Sequence, residues 1–425
     1  MHPLVAMLAF TCCFAVLLTA AAVARRRGVH AERTRKMMHV GMGLATLSFP
    51  SLFHEAWPVL VLTGGFVAVM VALRLMPRWR GVVGGVARVS WGEIYFPVAV
   101  GGLFLLTRGS VIEFVIPILV LTLADAAAAL VGLRAGRHHY SADDGLKSWE
   151  GTAAFCATAF LCTLVPLLCA GMEWPRAVLI ATCVSLIGGI VEATAWRGAD
   201  NLLLPFSTLL MLRIYADLPL AELWLRLGLL AALVLVFLVM RRRMLLQEGT
   251  MLGVLLAIYL CWVFGDPSWV VAPLAMVLMH RALTRWTPPG LELKPSGHHA
   301  LLAYILPPLA WVFAWRFSGD ARCFAAFHVT IAAHLATTAL ALWRSDLRGG
   351  CRLVIPAVLT ALVFTGLPWW WLEETPALSP ALRGAAAVLA AALAWHFVLR
   401  RIGDGPSLEH WTWRGMLAAL ASLAV

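Results

Sequence analysis

The sequence predicts an all-α protein, a polytopic transmembrane helical bundle of about 14–16 spans with a non-cytoplasmic N-terminus. Three observations predict it. Of 425 residues, 61% are hydrophobic and only 13% are charged, about half the charged share of an ordinary soluble domain. The mean hydropathy is +0.85. The apolar residues also fall in long runs bounded by basic clusters or turn residues. Together these exclude a soluble globular enzyme. The net charge of +11 does not point to nucleic acid, because the basic residues sit in short clusters between the runs, where they record orientation.

The first run, 3–24, lacks the basic start of a signal peptide and is expected to remain as a span. The runs 94–107, 201–216 and 414–425 are short for a span and are expected to be tilted, re-entrant or frayed. With the N-terminus outside, alternate connections hold 26 of the 33 basic residues, among them Arg74, Arg78, Arg80, Arg88, Lys294, Arg344, Arg348, Arg352 and Arg414. The opposite side keeps 7, a strong positive-inside bias. The nine cysteines include no CxxC pair and read as small buried hydrophobes. The Arg241–Arg243 run followed by Gly249 is the best internal boundary. Residues 1–218 carry almost all the unusual polar residues, and 219–425 are expected to be an accessory transmembrane domain with few buried charges.

An ionisable group in lipid is costly and is a functional candidate by default. Asp125 is one, flanked on both sides by apolar residues. Ala128, Ala129, Gly132 and Gly136 share its helical face; they leave room for a ligand or form a helix-packing seam. Next comes Gly145-Leu146-Lys147-Ser148-Trp149-Glu150-Gly151, preceded by Arg137 and by Asp143-Asp144. Its glycines and one of only three lysines suit a polar loop that meets phosphate oxygens, although the Walker spacing is absent. The plainer reading is a loop with a helix start at Ser148. A third stretch runs from Glu192 to Asp200 and Asn201; Asp125 and Asp200 with a basic loop make a plausible Mg²⁺–nucleotide site. Alone, Asp200 reads as a turn or cap residue. Arg35, Lys36 and His39 stand at the mouth of the second span, and Glu93 opens the fourth and needs a partner. Zinc is excluded by the lack of ligand spacing around His138 and His139.

Asp125 with Ala128 and Gly132, Gly136-Arg137, Lys147-Ser148-Trp149-Glu150-Gly151, and Gly198-Ala199-Asp200-Asn201 with Pro205 stand in an order that resembles the CTP-dependent phytol kinase and dolichol (polyprenol) kinase family, related to the phosphatidate cytidylyltransferases. Arg35-Lys36-x-x-His39-x-x-x-Gly43 and Gly92-Glu93-x-Tyr95-x-Pro97 are similar to that family's earlier landmarks. The resemblance covers about residues 30–215. It implies CTP as phosphoryl donor, Mg²⁺ and a membrane isoprenoid alcohol as acceptor. It implies Asp125 and Lys147 as catalytic residues and Asp125 with Asp200 at the metal. It further implies Arg137, Lys147, Ser148, Glu150, Gly151 and Asn201 around CTP. Arg35, Lys36, His39 and Glu93 would stand at the substrate mouth, with the active site on the cytoplasmic side. Either Asp125 or Glu93 takes the alcohol's proton. In the second half, Gly249-Thr250-Met251-Leu252-Gly253 faintly resembles a related kinase unit without its carboxylate, as in a decayed copy. The competing readings are a cytidylyltransferase that makes a CDP-linked lipid, a transporter relaying protons through Asp125 and Glu192, and a non-catalytic scaffold.

Overall fold

A computed structural model describes residues 2–29, 31–75, 90–142, 145–241, 247–285, 297–343, 355–359, 361–363, 378–402 and 408–423. Arg78, Arg80, Arg88, Arg242, Arg243, Lys294, Arg344, Arg348 and Arg352 of the orientation argument, and Asp143-Asp144, lie outside these residues. The described chain is a polytopic helical bundle. Eight of its helices are long and apolar enough to cross a membrane, and four shorter apolar helices accompany them. The expected 14–16 spans are not reached among the described residues, because several runs, such as 94–107 and 201–216, form helices shorter than a span, and most of the run 353–372 lies outside the described residues.

The chain divides into two compact units, Met1–Ala231 and Ala232–Val425, within the helix Leu220–Met240. Unit 1 holds α1 (Pro3–Arg26), α2 (Ala31–Thr46), α3 (Phe49–Leu52), α4 (Ala56–Leu75), α5 (Gly92–Leu106), α6 (Val111–Leu119), α7 (Asp125–Ala135), α8 (Trp149–Cys169), α9 (Trp174–Thr194), α10 (Asp200–Ala216) and the start of α11 (Leu220–Met240). The stretch Val111–Ala135 is one continuous apolar span, interrupted by a π-helical turn at Val120–Ala124. Pro117 lies just before that turn and has no N–H for the helical ladder. A π turn widens the helix and is frequent at functional sites. Here it ends at Asp125 and re-aims that carboxylate.

This span is central to unit 1: its π turn packs against α2, α8 and α10. Gly43 of α2 lies on Thr122 so closely that a Cβ would overlap the threonine side chain. At the other end of the span, Phe49, Phe53, Phe104 and Phe114 pack edge to face, with Ile118 and Leu209 in the same core. Edge-to-face packing suits the ring quadrupoles and fixes the helices laterally.

Two short strands, β1 (His139–Ala142) and β2 (Gly145–Ser148), pair antiparallel where a plain loop was expected, with Tyr140 opposite Lys147. Gly145 at φ 114° gives the positive φ the turn requires. The reading of Ala128, Gly132 and Gly136 as room for a ligand is corrected here. A Cβ on Gly151 would stand 2.9 Å from the Ala128 carbonyl, and one on Gly132 would stand 3.1 Å from Ser148 Oγ, so α8 occupies that face. The seam reading holds there because small residues let two backbones approach.

Unit 2 continues α11 and holds α12 (Glu248–Phe264), α13 (Ser268–Arg285), α14 (His298–Ser318), α15 (Arg322–Trp343), α16 (Leu378–Ile402) and α17 (Leu408–Ser422). Its core is small residues of α15 against α16 and α17 around Trp395, and α15 is its most enclosed span. Among the described residues of this unit one charged side chain is buried, in keeping with the expectation of few. Arg414, assigned to a cytoplasmic connection, is a buried residue of α17, because the helix begins before it and aromatic residues of the bundle enclose it.

Candidate active site

Asp125 is 6% exposed and Lys36 of α2 is 5% exposed. The Lys36 ammonium lies 2.5 Å from Asp125 Oδ2. Neither charge is sustainable in this interior without the other, since removing one partner of a buried pair leaves an unpaired ion. His39, one turn further along α2, places Nε2 3.1 Å from the Leu121 carbonyl and 3.5 Å from Asp125 Oδ2. Both neighbours accept, so Nε2 carries the proton and donates to the π turn. The imidazole thus orients the turn on which the carboxylate sits. Arg35 is exposed and adds only a longer-range charge to Asp125.

The hairpin delivers Lys147 to the C-terminal end of α9. Its ammonium donates to Glu192 Oε1 at 2.8 Å and also to the Glu192 backbone carbonyl. Burial lowers the ammonium's pKa, but the Glu192 charge outweighs it and holds it above the ordinary lysine value; Asp200 pulls the same way. Burial, reinforced by Glu192, pushes the Tyr140 phenol up to about 12, and its hydroxyl hydrogen-bonds Thr152 at 2.9 Å. Lys147, Glu192, Tyr140 and Asp200 therefore share one electrostatic neighbourhood.

Ser148 caps α8 by accepting from the Gly151 N–H at 3.1 Å. Glu150 turns back on the chain, accepting from the Arg137 and His138 N–H groups at 3.2 Å and from the exposed His138 ring at 2.7 Å. The Arg137 side chain is exposed. These residues shape the hairpin, while the lysine projects from it.

Asp200 opens α10 and is half-buried, with Asn201 Nδ2 3.4 Å from its Oδ1. Asn201 is 3% exposed, and its own side-chain oxygen is buried with no hydrogen-bond partner. Two glycines position this end. Gly198, at φ 83°, sits where a Cβ would be 2.6 Å from the Gly92 nitrogen, and a Cβ on Gly92 would be 2.6 Å from Asn201 Nδ2. The Trp91 N–H donates to the Arg197 carbonyl at 2.8 Å and locks the two segments. Gly198→Ala is therefore expected to cost at least about 1–3 kcal/mol, through strain at positive φ plus the backbone overlap. Turnover should fall with it as Asp200 is displaced; thermal denaturation and kinase assays on one preparation check both.

Glu93 of α5 has the partner it needed: Arg74 of α4, at 3.1 Å, with the guanidinium 4.5 Å from the Trp91 ring centroid. Arg74 read in sequence only as an orientation signal. Glu192 reads in sequence only as a proton-relay candidate, yet it holds the lysine. A lone lysine removed from water needs a counter-charge, and that is the signal that points to it.

Asp125 and Asp200 lie on helices of opposite direction. Arg213 of α10 bridges Glu113 of α6 at 2.7 Å, and Leu209 packs with Phe114 and Ile118. Followed back from that bridge along both helices, Asp200 comes level with Asp125. Gly151, beside Ala128, is one helical turn beyond Asp125. Among the described residues no group of three or more His, Cys, Asp or Glu side chains is placed to hold a metal ion.

A phytol kinase from Synechocystis sp. is 34% identical over 208 residues, which is 48% of this chain and 88% of that protein. No protein-family model and no solved structure matches the chain. At that identity and coverage, with an intramembrane carboxylate at a π turn and a half-buried lysine on a hairpin, the chain belongs to the phytol kinase family and is a lipid alcohol kinase.

Proposed function

We propose that this protein transfers the terminal phosphoryl group of CTP to a membrane isoprenoid alcohol of the phytol, geranylgeraniol or polyprenol type, releasing CDP. What supports the reading is the pairing of Lys147 with Glu192 within reach of the Asp200 charge, together with the buried Asp125–Lys36 pair at the π turn. The positive-inside bias favours the cytoplasmic face for this site, where a nucleotide is available.

The residues fit Mg²⁺. It prefers one or two carboxylates plus phosphate oxygens to a protein cage. The Asp200 carboxylate and the unpartnered Asn201 oxygen beside it are hard oxygen donors of that kind. Asp125, on its own helix and matched in charge by Lys36, would be the second carboxylate. When bound, the ion neutralises phosphate charge and orients the donor.

Phosphoryl transfer asks the protein mainly for positioning and charge. Lys147, fixed by the Glu192 carboxylate and carbonyl, offers a permanent positive charge to the transferred group's oxygens. The alcohol enters from the bilayer, its chain between spans and its hydroxyl at the α2 mouth beside Lys36, His39 and Glu93. Asp125, paired with Lys36, and Glu93, paired with Arg74, are the two carboxylates available to take the hydroxyl proton.

The test is an assay in membranes with labelled CTP and a panel of phytol, geranylgeraniol, farnesol and long polyprenols. CDP and a prenyl monophosphate are expected. Release of pyrophosphate with a CDP-linked lipid would instead assign a cytidylyltransferase.

A further inference from the structure

Unit 2 buries a cation of its own. Arg414 of α17 is 3% exposed. Its Nη2 donates to the Tyr304 hydroxyl at 3.2 Å and to the Thr338 hydroxyl, and it reaches the His334 carbonyl at 3.5 Å. Three rings surround the guanidinium, with Trp411 nearest at 4.7 Å. These partners are neutral. Among the described residues no carboxylate pairs with it: in unit 2 Glu248 is bound to Arg241, Asp320 to Arg322 and Asp266 to Ser268, and Glu409 is exposed.

Polar groups around the same point are unused. Arg414 Nε–H is buried without a partner, as are Nε2 of His280 and both ring nitrogens of His334, one of which carries the N–H while the other is an acceptor. His334, 1% exposed, faces the Ala303 carbonyl without reaching hydrogen-bond geometry, and its ring stands 5.3 Å from that of Tyr304. The charge of Arg414 acts on both histidines. Helices α13, α14, α15 and α17 thus converge a permanent cation and two imidazoles beside two engaged hydroxyls, Thr338 donating to the His334 carbonyl at 2.7 Å and lying 3.3 Å from the Tyr304 hydroxyl, with no anion supplied by the described chain. Buried polar groups are normally satisfied, and unsatisfied N–H groups around one charge call for a ligand with several acceptor oxygens.

We propose that this cluster binds the phosphate group of a phosphomonoester, with Arg414 as its anchor. Arginine's planar fork has one edge on the hydroxyls and the Nε side free, and tetrahedral phosphate offers oxygens to donors arriving from several helices. A lipid monophosphate, the product class of a lipid alcohol kinase, and inorganic phosphate share this group. The proposal does not depend on which nucleotide is the donor.

The experiment is equilibrium binding of radiolabelled farnesyl phosphate and of orthophosphate to the full-length protein in detergent. Wild type, Arg414→Gln, Arg414→Lys and Thr338→Val are compared, with phosphoryl transfer assayed on each preparation. Wild type is expected to bind farnesyl phosphate saturably, Arg414→Gln about tenfold or more weakly, and the other two in between, with transfer retained. Binding of farnesyl phosphate alone supports a lipid headgroup as the source; binding of both probes supports the phosphate group by itself. Should Arg414→Gln fail to fold, Arg414→Lys and Thr338→Val carry the test. Equal affinity in those two variants and wild type overturns the proposal, and so does wild-type protein that binds neither probe.

Discussion

Asp125→Asn is expected to lower phosphoryl transfer by at least about a thousandfold, the scale of losing a residue that acts on the reacting atoms. The structure adds a second expectation. The variant leaves the Lys36 ammonium buried with no counter-charge, and breaking a buried pair costs about 3–5 kcal/mol. Asp125→Asn should therefore melt at a lower temperature as well as turn over more slowly. Combining it with Lys36→Met removes the orphaned charge, so thermal stability should return toward wild type while transfer does not. That separation identifies chemistry rather than folding as the origin of the loss. Turnover within tenfold of wild type in Asp125→Asn would remove this carboxylate from the active site.

Lys147→Ala is expected to reduce kcat/KM for CTP by about a hundredfold, because its half-buried ammonium is held in place by Glu192. Glu192→Gln keeps the lysine and its bond to the backbone carbonyl but loosens the ammonium, and about a tenfold loss is expected. The two changes act on one element, so the double variant should resemble Lys147→Ala alone rather than multiply the losses. Steady-state kinetics with varied CTP measure all three. Multiplicative losses would mean that Glu192 contributes by a separate route, and an unchanged kcat/KM in Lys147→Ala would leave the pair as a structural tie.

Much of the site is visible as composition against background. Asp125 stands out because a carboxylate in an apolar run has no bland explanation, and Lys147 because lysine is rare in this chain. Asn201, Asp200 and the two glycines at 92 and 198 were visible as spacing, but the reason for the glycines was not. Each glycine gives way to the other's segment, a contact between residues about a hundred positions apart. Ser148 and Glu150 show the converse. Their motif was legible, yet their side chains cap a helix and tie a turn, which local pattern does not distinguish from contact with a ligand.

The sequence by itself determined the polytopic helical class and the intramembrane carboxylate, because the energetics of burying charge in lipid act residue by residue and need no knowledge of neighbours. Which charge meets which was decided only by the tertiary structure: Lys36 with Asp125, Glu192 with Lys147, Arg74 with Glu93, and Arg414 with rings and hydroxyls. Pairing depends on the direction and register of helices brought together from distant parts of the chain, and a linear string of residues carries neither.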